Sequence, residues 1–289
     1  MPVFPYQKVT IIGPGLVGGS LGMAILSRRL AKEVVGVGRN LNSLAVAEKA
    51  GAVTSTSTDL KTAIVEADLI VICTPVDSIV DQVLAVVSHV ANSTKPVLIT
   101  DAGSTKAEIV SRLEDHQATS SWPANVRFIG SHPIAGNEKR GAEHGSADLF
   151  EGRVAVVTPT EATAANDLEQ IKQFWLALGA TVVSLSPVEH DIAMASVSHL
   201  PHLLASAIAS QTPERYVSLS GAGWQDTTRI AAGDAALWRQ ILLANRTNVL
   251  ASLDRFEQQL AEFRAALEAG EPKRLEQLLT EAKRIRDTL

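Results

Sequence analysis

The sequence predicts an α/β fold, a parallel sheet with crossover helices followed by an all-helical segment, and three observations carry that prediction. Short apolar runs alternate with helix-patterned segments as far as Leu185. The first of those runs opens directly into a glycine-rich turn and an apolar, helix-like stretch. At Ser186 the strand signals stop and three- and four-residue hydrophobic steps take over. With 289 residues, 46% of them hydrophobic, the chain can fill the cores of two ordinary domains.

The strands are expected at 8–12, 33–38, 69–73, 97–101, 127–131, 153–158 and 181–185. Their C-terminal flanks are rich in Gly, Asp, Ser and Thr, and in such sheets ligands bind at the carboxyl ends of the strands. The first turn, Gly13-Pro14-Gly15-Leu16-Val17-Gly18, reads G-x-G-x-x-G between strand and helix. Gly13 makes the tight turn, Gly15 lets the backbone approach a pyrophosphate, and Gly18 lets the helix pack on the sheet. The helix start at Leu16 and Val17 offers free N–H groups and a partial positive charge to that pyrophosphate. A glycine turn without a ligand is the competing reading, and the strand–turn–helix context weighs against it. The first domain, 1–186, is therefore expected to be a Rossmann-like dinucleotide-binding domain.

The second strand narrows the dinucleotide. In this fold an acidic residue at its end binds the adenosine ribose, but here Gly38 takes that place and Arg39 follows. Losing a carboxylate and gaining a guanidinium suits a 2′-phosphate, so NADP is expected ahead of NAD. The alternative is a solvated Arg39 with NAD bound regardless.

Ser186, Pro187 and Glu189 read as N-cap, first helical residue and capping-box partner, which sets the domain boundary. In the helical domain, 187–289, apolar residues from Trp238 to Leu267 recur at helical spacing and predict one long amphipathic helix. Gly270-Glu271-Pro272 ends it and a shorter helix closes the chain. An apolar stripe with little to cover it predicts a homodimer through this domain.

Net charge −5 argues against nucleic acid or an anionic membrane surface as partner. No run of 18 uninterrupted apolar residues predicts a membrane span, and the N-terminus lacks a signal-peptide layout. The single cysteine, Cys73, reads as a buried strand residue and fits a reducing cytoplasm.

Three polar clusters follow strand ends or lie in the helical domain. Thr100-Asp101-Ala102-Gly103-Ser104-Thr105-Lys106 predicts a capping box between Thr105 and Glu108, with Ser104 facing the cofactor cleft. In Gly130-Ser131-His132-Pro133-Ile134-Ala135-Gly136-Asn137-Glu138, His132 stands at a strand end and is a candidate general base. His199-Leu200-Pro201-His202 has two histidines three apart but no nearby Cys or acidic partner, so no metal site is expected. Arg229, after Asp226-Thr227-Thr228 in a glycine-bounded loop, reads equally as a carboxylate clamp or as a surface ion pair with Asp226.

In this order the motifs resemble the prephenate/arogenate dehydrogenase family of tyrosine biosynthesis over nearly the whole chain. The glycine turn is shared by many dehydrogenases; His132-Pro133-Ile134-Ala135-Gly136 and Thr228-Arg229-Ile230-Ala231 are more specific. The resemblance implies that His132 takes the proton from the substrate hydroxyl and that Ser104 hydrogen-bonds at this hydroxyl and orients the histidine. It implies substrate binding at His199 and Arg229, an acidic Glu138 at the entrance paired with the Asp226–Arg229 segment, and cofactor contacts at Thr74 and Pro75. The implied reaction is oxidative decarboxylation of prephenate, or of arogenate, with prephenate the weak preference. A histidine near its ordinary pKa of ~6.5 suits that proton transfer. The chain ends soon after the last helix, so neither an ACT regulatory domain nor a chorismate mutase domain is expected. A β-hydroxyacid dehydrogenase would carry a lysine after the Gly221-Ala222-Gly223 turn, and none occurs before Lys273. A dinucleotide-sensing regulator without turnover would have no use for His132 and Ser104.

Overall fold

The structure, a computed structural model, describes residues 5–91, 95–120, 122–136 and 139–288. Eight strands form one sheet in the order β3-β2-β1-β4-β5-β6-β7-β8. β1 (Tyr6–Ile12) leads through the glycine turn into α1 (Leu16–Ser27), then β2 (Ala31–Val37) and α2 (Leu41–Lys49). A short β3 (Ser55–Ser57), not expected from the sequence because only polar residues build it, and α3 (Leu60–Ala63) complete that side. The chain then crosses to β4 (Leu69–Ile72), which pairs with the other edge of β1. This reversal between β1 and β4 opens a crevice at their carboxyl ends. α4 (Val76–Val90), β5 (Val97–Asp101), α5 (Ala107–Thr119) and β6 (Val126–Pro133) continue outward. The central strands are buried on both faces, which is why they read as unbroken apolar runs.

The sheet is not wholly parallel, contrary to the expectation from alternating strands and helices. β6 pairs parallel with β5 only as far as Thr100↔Ile129, and its second half, Gly130 to Pro133, pairs antiparallel with β7 (Val154–Thr158). The segment between β6 and β7 holds no crossover helix, only a 3₁₀ turn at Ala142–His144 among its described residues, and without one the chain returns antiparallel. The extension carries His132 beyond the parallel ladder. α6 (Ala165–Ala177) and β8 (Thr181–Ser184) finish the sheet.

Among the described residues no strand follows β8, and helices make up the rest of the fold. α7 (Pro187–Met194) begins with the predicted capping box, Ser186 with Glu189, runs through a π turn at Ala195–His199 and continues as α8 (Leu200–Gln211). By length and composition the continuous stretch Pro187–Gln211 could cross a membrane (mean hydropathy 1.4). Its His190, Asp191 and His199 are instead buried, and Asp191 bonds to backbone of the sheet domain. α9 (Glu214–Val217) and α10 (Ala222–Thr228) follow, then a 3₁₀ turn at Arg229–Ala232, so Arg229 sits in helical backbone rather than an open loop. The expected single long helix is two, α11 (Ala235–Ala244) and α12 (Arg246–Glu268), broken at Asn245 (φ −109°, ψ 26°). A helix-neutral asparagine whose side chain is committed to tertiary bonds permits that break. α13 (Pro272–Arg286) ends the fold.

Candidate active site

Two clefts meet at the carboxyl edge of the sheet. The first, about 1000 Å³, lies over the β1–β4 crevice and is lined by Gly13, Gly15, Arg39, Thr74 and Pro75, among others. Gly13 has φ +86°, a conformation side chains disfavour, and a Cβ at Gly18 would lie 2.3 Å from the Gly13 carbonyl oxygen. A Cβ at Gly15, by contrast, would meet nothing within 4 Å, so this backbone faces open cleft. Gly15 is the N-cap of α1 and supplies no side-chain cap. The N–H groups of the first turn, at Leu16, Val17 and Gly18, lack intrahelical acceptors; these three residues stand behind the cleft rather than among its lining. Uncapped donors, a positive helix end and a Cβ-free approach fit a dinucleotide pyrophosphate. At the far end Gly38 lies just past β2, Arg39 is exposed on the rim, and Asn40 caps α2 through Asn42 and Ser43 N–H. Cys73 also lines this cleft, only partly buried by its surface but with its thiol pushed up by burial and by Asp101, which makes it inert.

The second cleft, about 770 Å³, lies between the sheet domain and the helices and shares Pro75 with the first. Ser104, His132, His199 and Arg229 all line it, so residues from four separate sequence motifs converge. Glu138, the expected entrance residue, lies outside the described residues. Among the ion pairs of the described residues none joins Arg229 to Asp226, and Asp226 lies on α10 ahead of the 3₁₀ turn that carries Arg229. Arg140 and Asp234 bridge the mouth from opposite domains.

His132 is held by a second histidine. Its Nδ1 lies 2.9 Å from His190 Nε2, and His190 Nδ1 lies 2.7 Å from Asp191 Oδ1. The carboxylate accepts the His190 Nδ1–H, which leaves His190 Nε2 to accept from His132 Nδ1–H. His132 Nε2 is then left with its lone pair. Burial, with His190, Lys106 and His199 nearby, holds this imidazole well below its ordinary 6.5, correcting the expectation of an unshifted value. Asp191 also accepts the N–H groups of Lys106 (2.7 Å) and Ala107 (2.9 Å). It therefore caps α5 from another element, and the predicted Thr105–Glu108 capping box does not form.

His199 is likewise neutral, held down to about 4 by burial first and by His190 and His202, against the opposing pull of Asp191. Asn245 fixes its tautomer: its amide nitrogen donates to the Asp191 carbonyl (2.6 Å) and to His199 Nδ1 (3.1 Å). His199 Nε2, buried and without a protein partner, carries the proton and is a donor. His202 stacks flat on Trp238, with centroids 3.5 Å apart, as a wall of the same cleft.

Sequence reasoning missed His190, Asp191 and Asn245. The available signal was an adjacent His-Asp pair at the start of an apolar helix, followed by an asparagine inside an apolar stripe.

Comparison with known proteins decides the family. Residues 21–184 match the prephenate dehydrogenase nucleotide-binding domain, and residues 186–281 match the prephenate dehydrogenase dimerization domain. The chain belongs to the prephenate dehydrogenase family. It is a dehydrogenase that uses a nicotinamide dinucleotide. Prephenate dehydrogenase of Bacillus subtilis is 31% identical over 98% of this chain and 76% of its own length. Among solved structures, Aquifex aeolicus prephenate dehydrogenase in complex with hydroxyphenyl propionate and NAD+ superposes with TM-score 0.87 at 29% identity, covering 99% of both chains. Synechocystis arogenate dehydrogenase gives TM-score 0.78 at 26% identity over 98% of this chain and 99% of that one.

Proposed function

We propose that the enzyme catalyses the oxidative decarboxylation of prephenate or arogenate, cyclohexadienols that carry two carboxylates. The observation that carries this reading is His132: a neutral imidazole, its tautomer set by His190 and Asp191, on a cleft that adjoins the dinucleotide cleft. His132 Nε2 accepts the hydroxyl proton as hydride leaves the carbinol carbon. When bound, the nicotinamide supplies the hydride acceptor. The ring carboxylate departs as carbon dioxide, its electron pair completes the aromatic ring, and the phenolic oxygen recovers a proton from His132. Aromatisation supplies the driving force, so the protein mainly positions groups and moves one proton. Ser104 hydrogen-bonds at the same hydroxyl. Arg229 and the His199 Nε2–H donate to the carboxylates.

Gly13, Gly15, Leu16, Val17, Gly18, Thr74 and Pro75 hold the dinucleotide, and NADP is preferred over NAD. Support for that preference is the missing carboxylate at Gly38 and the Arg39 guanidinium on the cleft rim. The enzyme works as a homodimer through the helical domain, supported by the matched dimerization domain and by exposed Val197, Leu260 and Leu267.

The test is His132→Asn. Its turnover should fall by roughly 10²–10⁴-fold with substrate KM little changed; a parental turnover number removes His132 from the chemistry.

A further inference from the structure

We infer that Asp101, neutralised by Lys106, is the positioning residue that holds Ser104 and His132 in one working arrangement. The inference rests on the reading of His132 as the base.

Both side chains are completely buried and ion-paired to each other. Asp101 is the last residue of β5 and lies where the β5–β6 ladder has already stopped, after Thr100↔Ile129. There its carboxylate takes over the link between the two strand ends. Oδ2 accepts the Gly103 N–H at 2.8 Å, and Oδ1 accepts the Ser131 N–H at 3.2 Å. Gly103 immediately precedes Ser104, and Ser131 immediately precedes His132, so one carboxylate fixes the backbone beside both groups. The Thr100 and Ser131 hydroxyls bond to each other across the same gap.

The bonds close on themselves. From Ser131 the chain passes to His132, then through His190 to Asp191, which accepts the Lys106 N–H. The Lys106 ammonium returns to Asp101. The circuit ties together the β5–α5 turn, β6 and α7. The packing is built around it: a Cβ at Gly103 would lie 2.8 Å from Asp101 Oδ2, and one at Gly130 3.1 Å from Lys106 Cδ. Replacing a buried ion pair with neutral groups of similar size often leaves stability intact, so position and stability can be separated here.

Among the described residues, the charged and titratable groups around His132 are His190 and Asp191 from α7, and Asp101 and Lys106 from β5 and its turn. His199 and His202 follow from the next helical segment, Arg229 and Asp234 from the 3₁₀ turn and α11, and Lys139 and Arg140 from the strand's own continuation. Lys106 opposes protonation of His132.

The experiment is the double variant Asp101→Asn/Lys106→Met in the full chain, with His132→Asn in parallel. Dinucleotide Kd and substrate KM should stay within about threefold while kcat falls about tenfold or more. The acid limb of the kcat–pH profile should stay in place, because the variant removes a cation and an anion together and leaves the net charge beside His132 unchanged. Parental kcat in the folded double variant overturns the inference, as does a kcat loss wholly accounted for by the unfolded fraction in circular dichroism. Should the double variant not fold, Asp101→Glu decides: lowered kcat with the acid limb in place supports the inference, and parental kcat overturns it. If His132→Asn itself keeps parental turnover, the reading of the base fails. If His132→Asn loses turnover and the Asp101 variants keep it, the positioning inference alone fails.

Discussion

A general base must be unprotonated before it can act, and His132 meets that requirement across the neutral range because its pKa is held well below 6.5. Turnover should therefore persist as pH falls through 6.5 and fail only at more acid pH; a kcat–pH profile checks this, and an acid limb centred at 6.5 or above would contradict it. On the proposed role of Arg229 as a carboxylate clamp, worth about 1.5–3 kcal/mol, Arg229→Ala should raise substrate KM by roughly 10–100-fold with kcat less affected. Arg39→Ala should raise the NADP Michaelis constant and leave that for NAD in place. Ser104 and His132 were legible in the sequence because each follows a strand end, Arg229 because it stands in a glycine-bounded segment, and His199 only through the resemblance of its motif. His190 and Asp191 were not. The adjacent His-Asp pair marks them only weakly, since their partners lie on β6 and at the start of α5 and come together only in the folded chain.

At the scale of elements, the glycine turn is the most constrained piece. Gly18→Ala would place a methyl group 2.3 Å from the Gly13 carbonyl, a backbone atom that cannot step aside without opening the turn. Dinucleotide Kd, read by tryptophan fluorescence, should rise by roughly tenfold or more; an unchanged Kd would mean the helix tolerates the shift. Most strands were legible because burial on both faces leaves uninterrupted apolar runs. β3 escaped because three polar residues at a sheet edge carry no hydrophobic signal. The antiparallel entry of β7 escaped because direction depends on the connection and not on the strand. The break at Asn245 escaped for a related reason: the apolar spacing runs unbroken past it, while the bonds of Asn245 to Asp191 and His199 are tertiary.

For the whole molecule, two buried histidines and the partly buried His132 couple stability to acid. His132, His199 and His202 all have folded pKa values below 6.5, with His199 at about 4. Between pH ~6.5 and about 4 the unfolded chain binds protons at these sites that the folded chain does not, so acid favours unfolding in that window. The melting temperature should fall between pH 7.5 and 5, and a flat profile would contradict neutral burial. The helical domain leaves Leu260 and Leu267 on α12 exposed in one chain; light scattering should give a dimer, and Leu260→Glu should shift it toward monomer. The account as a whole stands on the chemistry of the two adjoining clefts. Its most direct test is absorbance of reduced nicotinamide with prephenate and arogenate, each offered NADP and NAD, with carbon dioxide measured alongside. The account predicts reduction with at least one substrate, faster with NADP, and one carbon dioxide released per dinucleotide reduced. No reduction with either substrate, by protein that binds the dinucleotide, would contradict it.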